Sequence, residues 1–156
     1  MQVPYQAHVE AFLACQHIAV VGYSRHPQSV ANAIYQKLAD HGYAVYAVNP
    51  QPEQVPAVPC YASLADLPVQ VEAVMICTPP EASLQVVQDA EALGIQHLWV
   101  HRSLGDGSYQ PTLTAYAAEH GLSLIAGGCP MMFVEPDIFH RCLRWWVDRQ
   151  GKLVMG

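Results

Sequence analysis

His17-Ile18-Ala19-Val20-Val21-Gly22-Tyr23-Ser24-Arg25-His26-Pro27-Gln28-Ser29 is the stretch on which the fold of this chain turns. Ile18 to Val21 are apolar without a break, and Gly22 ends the run. A short β-branched run stopped by glycine is the pattern of a strand buried on both faces, as in a parallel sheet. A helical pattern follows. From Ser29 to His41 the residues Val30, Ala33, Ile34, Lys37 and Leu38 recur at helical spacing, and Gly42 stands where a carboxyl-terminal cap belongs.

The same unit recurs downstream. Strands are predicted at Tyr43 to Val48, Val71 to Cys77, Ile95 to Val100 and Leu122 to Ala126. Helices are predicted at Pro79 to Leu93, with Leu84, Val87 and Ala90 inward, and at Pro111 to His120, capped by Gly121. Gln6 to Cys15 reads as a short helix before the first strand. Pro50 to Pro59 is a Pro-rich loop, and Ser63 to Leu67 a single turn. Pro136 to Gln150 closes the chain as an amphipathic helix that offers Ile138, Leu143, Trp146 and Val147 for packing. Strands alternating with helices of ten to fifteen residues specify right-handed crossovers and a doubly wound α/β sheet. The expectation is one domain, 1–156, in three layers with about five parallel strands in the order 3-2-1-4-5. The order reverses between the first and fourth strands, and such sheets bind ligands at the carboxyl ends of their strands at this point.

Composition narrows the function. The chain has 156 residues, 52% hydrophobic and 13% charged, which is a globular composition. Seven Lys and Arg against 13 Asp and Glu, a formal net charge of -6, leave little for a basic patch, so no nucleic acid is expected. A small anionic ligand is compatible with that charge, because backbone N–H groups at a helix start hold phosphate without cationic side chains. No apolar run is long enough for a membrane span, and the first ten residues lack the pattern of a signal peptide. A cytoplasmic protein is expected. Cys15, Cys60, Cys77, Cys129 and Cys142 are odd in number and scattered, so free thiols are expected rather than a disulfide framework.

The segments after each strand carry the candidate chemistry. After the first, Gly22 lets the backbone turn sharply, Ser24 and Ser29 offer hydroxyls, and Arg25 offers charge to a phosphate. Ser29 also suits a plain helix cap. The glycines of a dinucleotide fingerprint would fall at Ser24 and Pro27, and the acidic ribose ligand after the second strand is replaced by Asn49-Pro50, which disfavours NAD. After the third strand, Thr78 and Glu81 have capping-box spacing with Pro79 at the helix start. The alternative is that Pro79 and Pro80 form one wall of a cleft. After the fifth strand, Gly127 and Gly128 permit close approach to a ligand, and Cys129 is expected at the cleft mouth. His101, after the fourth strand, is the candidate base that would make Cys129 a nucleophile. His140 and Cys142 lie two apart on a helix and diverge, so no metal site is expected.

These loops resemble the stand-alone CoA-binding domain proteins, which are similar to the CoA-binding domains of succinyl-CoA synthetase α subunits and ADP-forming acyl-CoA synthetases. Gly22-Tyr23-Ser24-Arg25-His26-Pro27-Gln28-Ser29-Val30 resembles the family's Gly-x-Ser-x-x-Pro-x-Ser-Val pattern. Tyr46-Ala47-Val48-Asn49-Pro50, Val74-Met75-Ile76-Cys77-Thr78-Pro79-Pro80 and Gly127-Gly128-Cys129-Pro130 are similar to its later strand ends. The likeness runs from about His17 to Phe133. It implies a Rossmann-like fold holding coenzyme A or an acyl-CoA. Gly22, Tyr23, Ser24 and Arg25 would surround the phosphates, with Ser29 and Val30 at the helix start. Val48, Asn49 and Pro50 would lie beside the nucleotide, Cys77, Thr78, Pro79 and Pro80 opposite, and Val100 and His101 farther along. Ala31 replaces a glycine common in the family. The synthetases' phosphorylated histidine lies in a following domain, so acyl-CoA synthesis by this chain alone is not expected.

The leading expectation is therefore a non-catalytic binding, carrier or sensor module for CoA. Its alternatives are a thiol or acyl-transfer enzyme or redox sensor using Cys129, and an NADP-type nucleotide-binding protein with Arg25 or His26 meeting the 2′-phosphate. The aromatic carboxyl-terminal helix suggests a homodimer.

Overall fold

The computed structural model describes residues 2–102, 105–135 and 138–151. Six parallel strands form one sheet: β1 (His17–Val21), β2 (Ala44–Val48), β3 (Cys60–Tyr61), β4 (Ala73–Ile76), β5 (His97–Val100) and β6 (Ser123–Ile125), in the order β3-β2-β1-β4-β5-β6. The helices are α1 (Gln2–Leu13), α2 (Val30–Asp40), α3 (Pro80–Ala92), α4 (Pro111–His120) and α5 (Ile138–Arg149). Of the last predicted helix, Pro136 and Asp137 lie outside the described residues.

The three layers and the parallel sheet agree with the sequence pattern. The edge differs. The third place in the order belongs to the two-residue strand Cys60–Tyr61, inside the segment that follows the Pro-rich loop, and so the sheet has six strands rather than about five. The strand over Val71 to Cys77 pairs with β1 on its other side as β4, with Ile18 opposite Ala73 and Val21 opposite Ile76. The reversal of order therefore falls between β1 and β4. Hydrophobic patterning had no means to show β3: two residues carry no periodicity, and the pairing rests on backbone bonds that include Asn49 N–H to the Tyr61 carbonyl, at 2.9 Å.

Alternating residues of the sheet feed two cores. On one face Ile18, Val20, Met75, Trp99 and Ile125 pack under α1, α2 and α5 through Val9, Phe12, Ile34, Leu38 and Val147. On the other, Ala19, Val21, Val74, Ile76, Leu98, Val100 and Leu124 pack under α3 and α4 through Val87, Ala90, Leu113 and Ala117. Trp99 is fully buried. Its ring meets Phe12 edge-on at 5.2 Å, and its indole N–H donates to the Gly127 carbonyl at 3.0 Å. The Tyr5 hydroxyl donates to the same carbonyl, also at 3.0 Å, so α1 and β5 together fix the chain where it leaves β6.

That segment is held on its far side by α2. Lys37 Nζ donates to the Glu135 carbonyl at 2.8 Å, and His41 Nε2 lies 3.0 Å from the Glu135 carboxylate while Nδ1 lies 2.7 Å from the Lys37 carbonyl. Both ring nitrogens face acceptors, which favours the doubly protonated ring. The Lys37 carbonyl first, and then Glu135, raise the His41 pKa above the ordinary histidine value. A raised folded-state pKa contributes stability that is present below the unfolded value, near 6.5, and is lost as pH rises through the folded value. Histidine-resolved NMR titration should place His41 above ordinary histidine. Glu135→Gln should lower that value and flatten the corresponding part of the stability profile.

Candidate functional site

Gly22 ends β1 at the reversal point with φ +103°, a conformation that favours glycine. A Cβ built there would stand 2.6 Å from the Cys77 carbonyl oxygen and 3.1 Å from the Thr78 nitrogen. The segments leaving β1 and β4 thus touch backbone to backbone. From this contact the first chain turns to α2 on one face of the sheet and the second to α3 on the other, which opens the crevice at the strand ends.

One residue, Asn32, organises the β1–α2 loop. Its Oδ1 accepts from Ser24 N–H at 2.9 Å and from the Ser29 hydroxyl at 2.7 Å. Its Nδ2 donates to the Ser24 carbonyl at 2.8 Å and to the His26 carbonyl at 3.3 Å. Ser29 caps α2 as its position suggested, accepting from Asn32 N–H at 3.3 Å. The Ser24 hydroxyl accepts from His26 N–H at 3.0 Å. The next N–H groups, of Val30 and Ala31, have no intrahelical acceptor by helix geometry and point outward from the helix start. Sequence reasoning passed over Asn32. Its signal was there, since asparagine is poor inside helices and favoured near their starts.

Asn49 ties the second wall to the first. Its Nδ2 donates to the Tyr23 carbonyl at 2.7 Å, and its Oδ1 accepts from Gln51 N–H at 2.8 Å. Tyr23 is buried beneath, edge-on to Tyr35 at 5.1 Å. Arg25 is exposed and reaches Gln54 Oε1 at 3.3 Å, across the mouth between the two loops. Pro50 and Pro79 are exposed at the rim, with Pro80 half-buried. Val48 and Val100 are buried and support the site from below rather than lining it.

Thr78 does not form the expected capping box. Pro79 is the cap residue of α3 and makes no side-chain cap, while Thr78 Oγ1 lies 2.9 Å from the hydroxyl of buried Ser83. The proline places the helix start one residue later than the spacing assumed. Thr78 is thereby drawn to the α3 interior.

The expected exposure of Cys129 is also overturned. Cys129 is 3% exposed and packs in the core with Met132 and Val134. Burial pushes its thiol up to about 12. Cys77 is raised by burial as well, and further by Cys129 nearby. His101 is half-buried and its pKa is lowered by desolvation. Its backbone is held between the Ile76 carbonyl and Ser108 N–H, both at 2.9 Å. The next residue, Arg102, bridges to Gly128 and lays its guanidinium over the Tyr109 ring at 4.3 Å. Ser103 and Leu104 lie outside the described residues. Among the described residues, no group of three or more His, Cys, Asp or Glu is placed to hold a metal ion. A concavity of about 300 Å³ lined by Leu64, Leu67, Val71, Leu93 and Ile95 lies at the opposite end of the strands, away from this site.

A family model described as the CoA binding domain matches residues 16–135, which takes in all these strand ends. The chain belongs to the CoA binding domain family. Within it, the chain is similar to an ADP-forming acetate–CoA ligase of Archaeoglobus fulgidus, at 25% identity over 118 residues, covering 72% of this chain and 17% of the ligase. The chain thus spans about a sixth of that curated relative's length. A hypothetical protein from Pyrococcus horikoshii superposes with a TM-score of 0.73 at 30% identity, covering 90% of this chain and 92% of the other. A dinucleotide-forming acetyl-coenzyme A synthetase of Ca. Korarchaeum cryptofilum, solved with phosphate and ADP, superposes with a TM-score of 0.59 at 27% identity, covering 70% of this chain and 25% of the synthetase. No described helix of this CoA-binding-domain protein is long and apolar enough to cross a membrane.

Two outcomes follow from the packing. Gly22→Ala should destabilise the fold by roughly 2–5 kcal/mol in urea denaturation, since it combines a disfavoured φ with a clash against backbone. With a thiol reagent at pH 8, exposed Cys142 should react fast in the native protein, while Cys129 should react only on unfolding.

Proposed function

We propose that this chain binds coenzyme A or an acyl-CoA at the carboxyl ends of β1, β2 and β4, as a carrier or sensor module without chemistry of its own. The observation that carries this reading is the tethered β1–α2 loop. Asn32 holds Ser24, His26 and Ser29 in one arrangement, and the α2 start presents N–H groups beside it. A preorganised loop ending in a helix N-terminus suits a pyrophosphate, and does so in a chain of net charge -6.

In this reading Gly22, Tyr23 and Ser24 approach the phosphates by backbone, with Ser29 and Val30 at the helix start and Arg25 supplying charge from the rim. Asn49 and Pro50 form the wall beside the nucleotide, with buried Val48 beneath them. Cys77, Thr78, Pro79 and Pro80 form the wall opposite, and His101 lies along the remaining length with buried Val100 beneath it. Family membership supports the ligand class. The burial of Cys129 counts against the thiol-enzyme alternative, because a thiol raised to about 12 is almost wholly protonated at neutral pH. A cytoplasmic location belongs to the same proposal.

Thermal unfolding against CoA, acetyl-CoA, NAD, NADPH, ATP and AMP tests it. A ligand specific for the folded state stabilises it by about 2.7 kcal/mol at one hundred times its dissociation constant. CoA should shift the transition, and Arg25→Glu should weaken CoA by roughly tenfold or more, the loss of one charge-assisted contact. A shift with NADPH and none with CoA would replace the proposal with a nucleotide of the NADP type.

A further inference from the structure

A closed ring of hydrogen bonds joins the loops that follow β1 and β2. Asn49 Nδ2 donates to the Tyr23 carbonyl at 2.7 Å, and Gln51 N–H donates to Asn49 Oδ1 at 2.8 Å. Gln54 N–H donates to the Gln51 carbonyl at 3.0 Å, and Arg25 closes the ring on Gln54 Oε1 at 3.3 Å. Both ends of the closing bond stand on fixed backbone. On either side of Arg25, the Ser24 and His26 carbonyls accept from Asn32 Nδ2 at 2.8 and 3.3 Å, and His26 N–H donates to Ser24 Oγ at 3.0 Å. An exposed arginine is thus presented from a loop that cannot turn freely, and it leans toward the loop after β2 rather than toward the α2 start.

Arg25 is the only Lys or Arg in the loops that follow β1, β2 and β4. Its partner is a neutral oxygen, and among the described residues no carboxylate pairs with it. The guanidinium charge is therefore uncompensated, and the Gln54 amide adds N–H donors at the same corner. The phosphates of coenzyme A differ in what they need. Each pyrophosphate phosphorus carries a single charge, which backbone N–H groups at a helix start can hold. The phosphate monoester on the ribose carries about -1.5 to -2 at pH 7 and presents three terminal oxygens, the pattern that a guanidinium fork matches. The nucleoside side of the crevice, by Asn49 and Pro50, is also the side on which Gln54 lies.

We infer that Arg25, with the Gln54 amide beside it, reads the ribose 3′-phosphate of coenzyme A and makes the site selective for a nucleotide that bears a phosphate monoester besides its pyrophosphate. This rests on the CoA reading above. On binding, Arg25 exchanges Gln54 Oε1 for phosphate oxygens, while the pyrophosphate stays with the N–H groups of the α2 start. The one mobile bond of the ring is the one that the ligand replaces.

Calorimetric titration of the full chain with CoA and with dephospho-CoA, which lacks only the monoester phosphate, tests this. The wild type should bind CoA roughly tenfold or more tightly than dephospho-CoA, and the preference should shrink as salt is raised. Arg25→Gln should weaken CoA by roughly tenfold or more and dephospho-CoA by less than about twofold, with the circular dichroism spectrum unchanged. Gln54→Leu should weaken CoA several-fold with the same selectivity. Equal binding of the two ligands by the wild type would overturn the inference and leave the CoA reading standing. Equal weakening of both by Arg25→Gln would assign Arg25 to the pyrophosphate and overturn it too. Binding of neither ligand would overturn the CoA reading itself, and this inference with it.

Discussion

The approach of Gly22 to the Cys77–Thr78 peptide governs the geometry of this molecule. Two neighbouring strands of a parallel sheet are normally separated at their ends by the side chains that turn away from them. Here one side chain is missing, and the carbonyl of Cys77 stands 2.6 Å from the position a Cβ would take. The contact lies where strand order reverses and the two chains depart to opposite faces. Close approach at that point makes the crevice narrow at its base, with the β1–α2 loop and the Cys77 to Pro80 segment as its sides.

Around this contact the site is built from backbone more than from charged groups. Asn32 spends its amide on the loop that precedes its own helix and Asn49 reaches across to the Tyr23 carbonyl, which fixes Tyr23 to Ser29 with Arg25 as the exposed cation. An acidic chain thereby acquires a place suited to an anion. The thiol of Cys129, close to the same strand ends, takes the opposite course. The Gly127 carbonyl is held by Tyr5 and Trp99, and this pulls the segment after β6 into the core, where a thiolate is disfavoured by desolvation. The bonds that order the loop after β6 are thus also the ones that remove its cysteine from solvent.

The periphery has its own logic. The clasp of Lys37 and His41 on Glu135 joins α2 to the segment that leads toward α5, and Val147 and Leu143 then seat α5 on the sheet. A helix attached through so few buried residues leaves a broad outward face. On this chain that face holds the exposed Trp145 and Trp146.

Much of this could be read in the sequence because it depends on local rules. A continuous Ile18 to Val21 run ended by Gly22 has few uses outside a buried parallel strand, and Ser29 before a helical repeat is a cap by chemistry alone. The alternation of such units defines the layers, the reversal and the strand ends where a ligand belongs. Tertiary structure decided what depends on residues distant in the chain. The edge strand Cys60–Tyr61 exists only through β2, and β4 takes its side of β1 by pairing. Asn32 becomes the knot of a loop only once Ser24 and His26 fold back on it. Cys129 is withdrawn by partners 28 residues or more away, through Gly127. Sequence pattern reports how a segment distributes its own apolar and polar groups. It carries no record of which distant carbonyl a tryptophan or tyrosine will choose, and here that choice separates a core thiol from a reactive one.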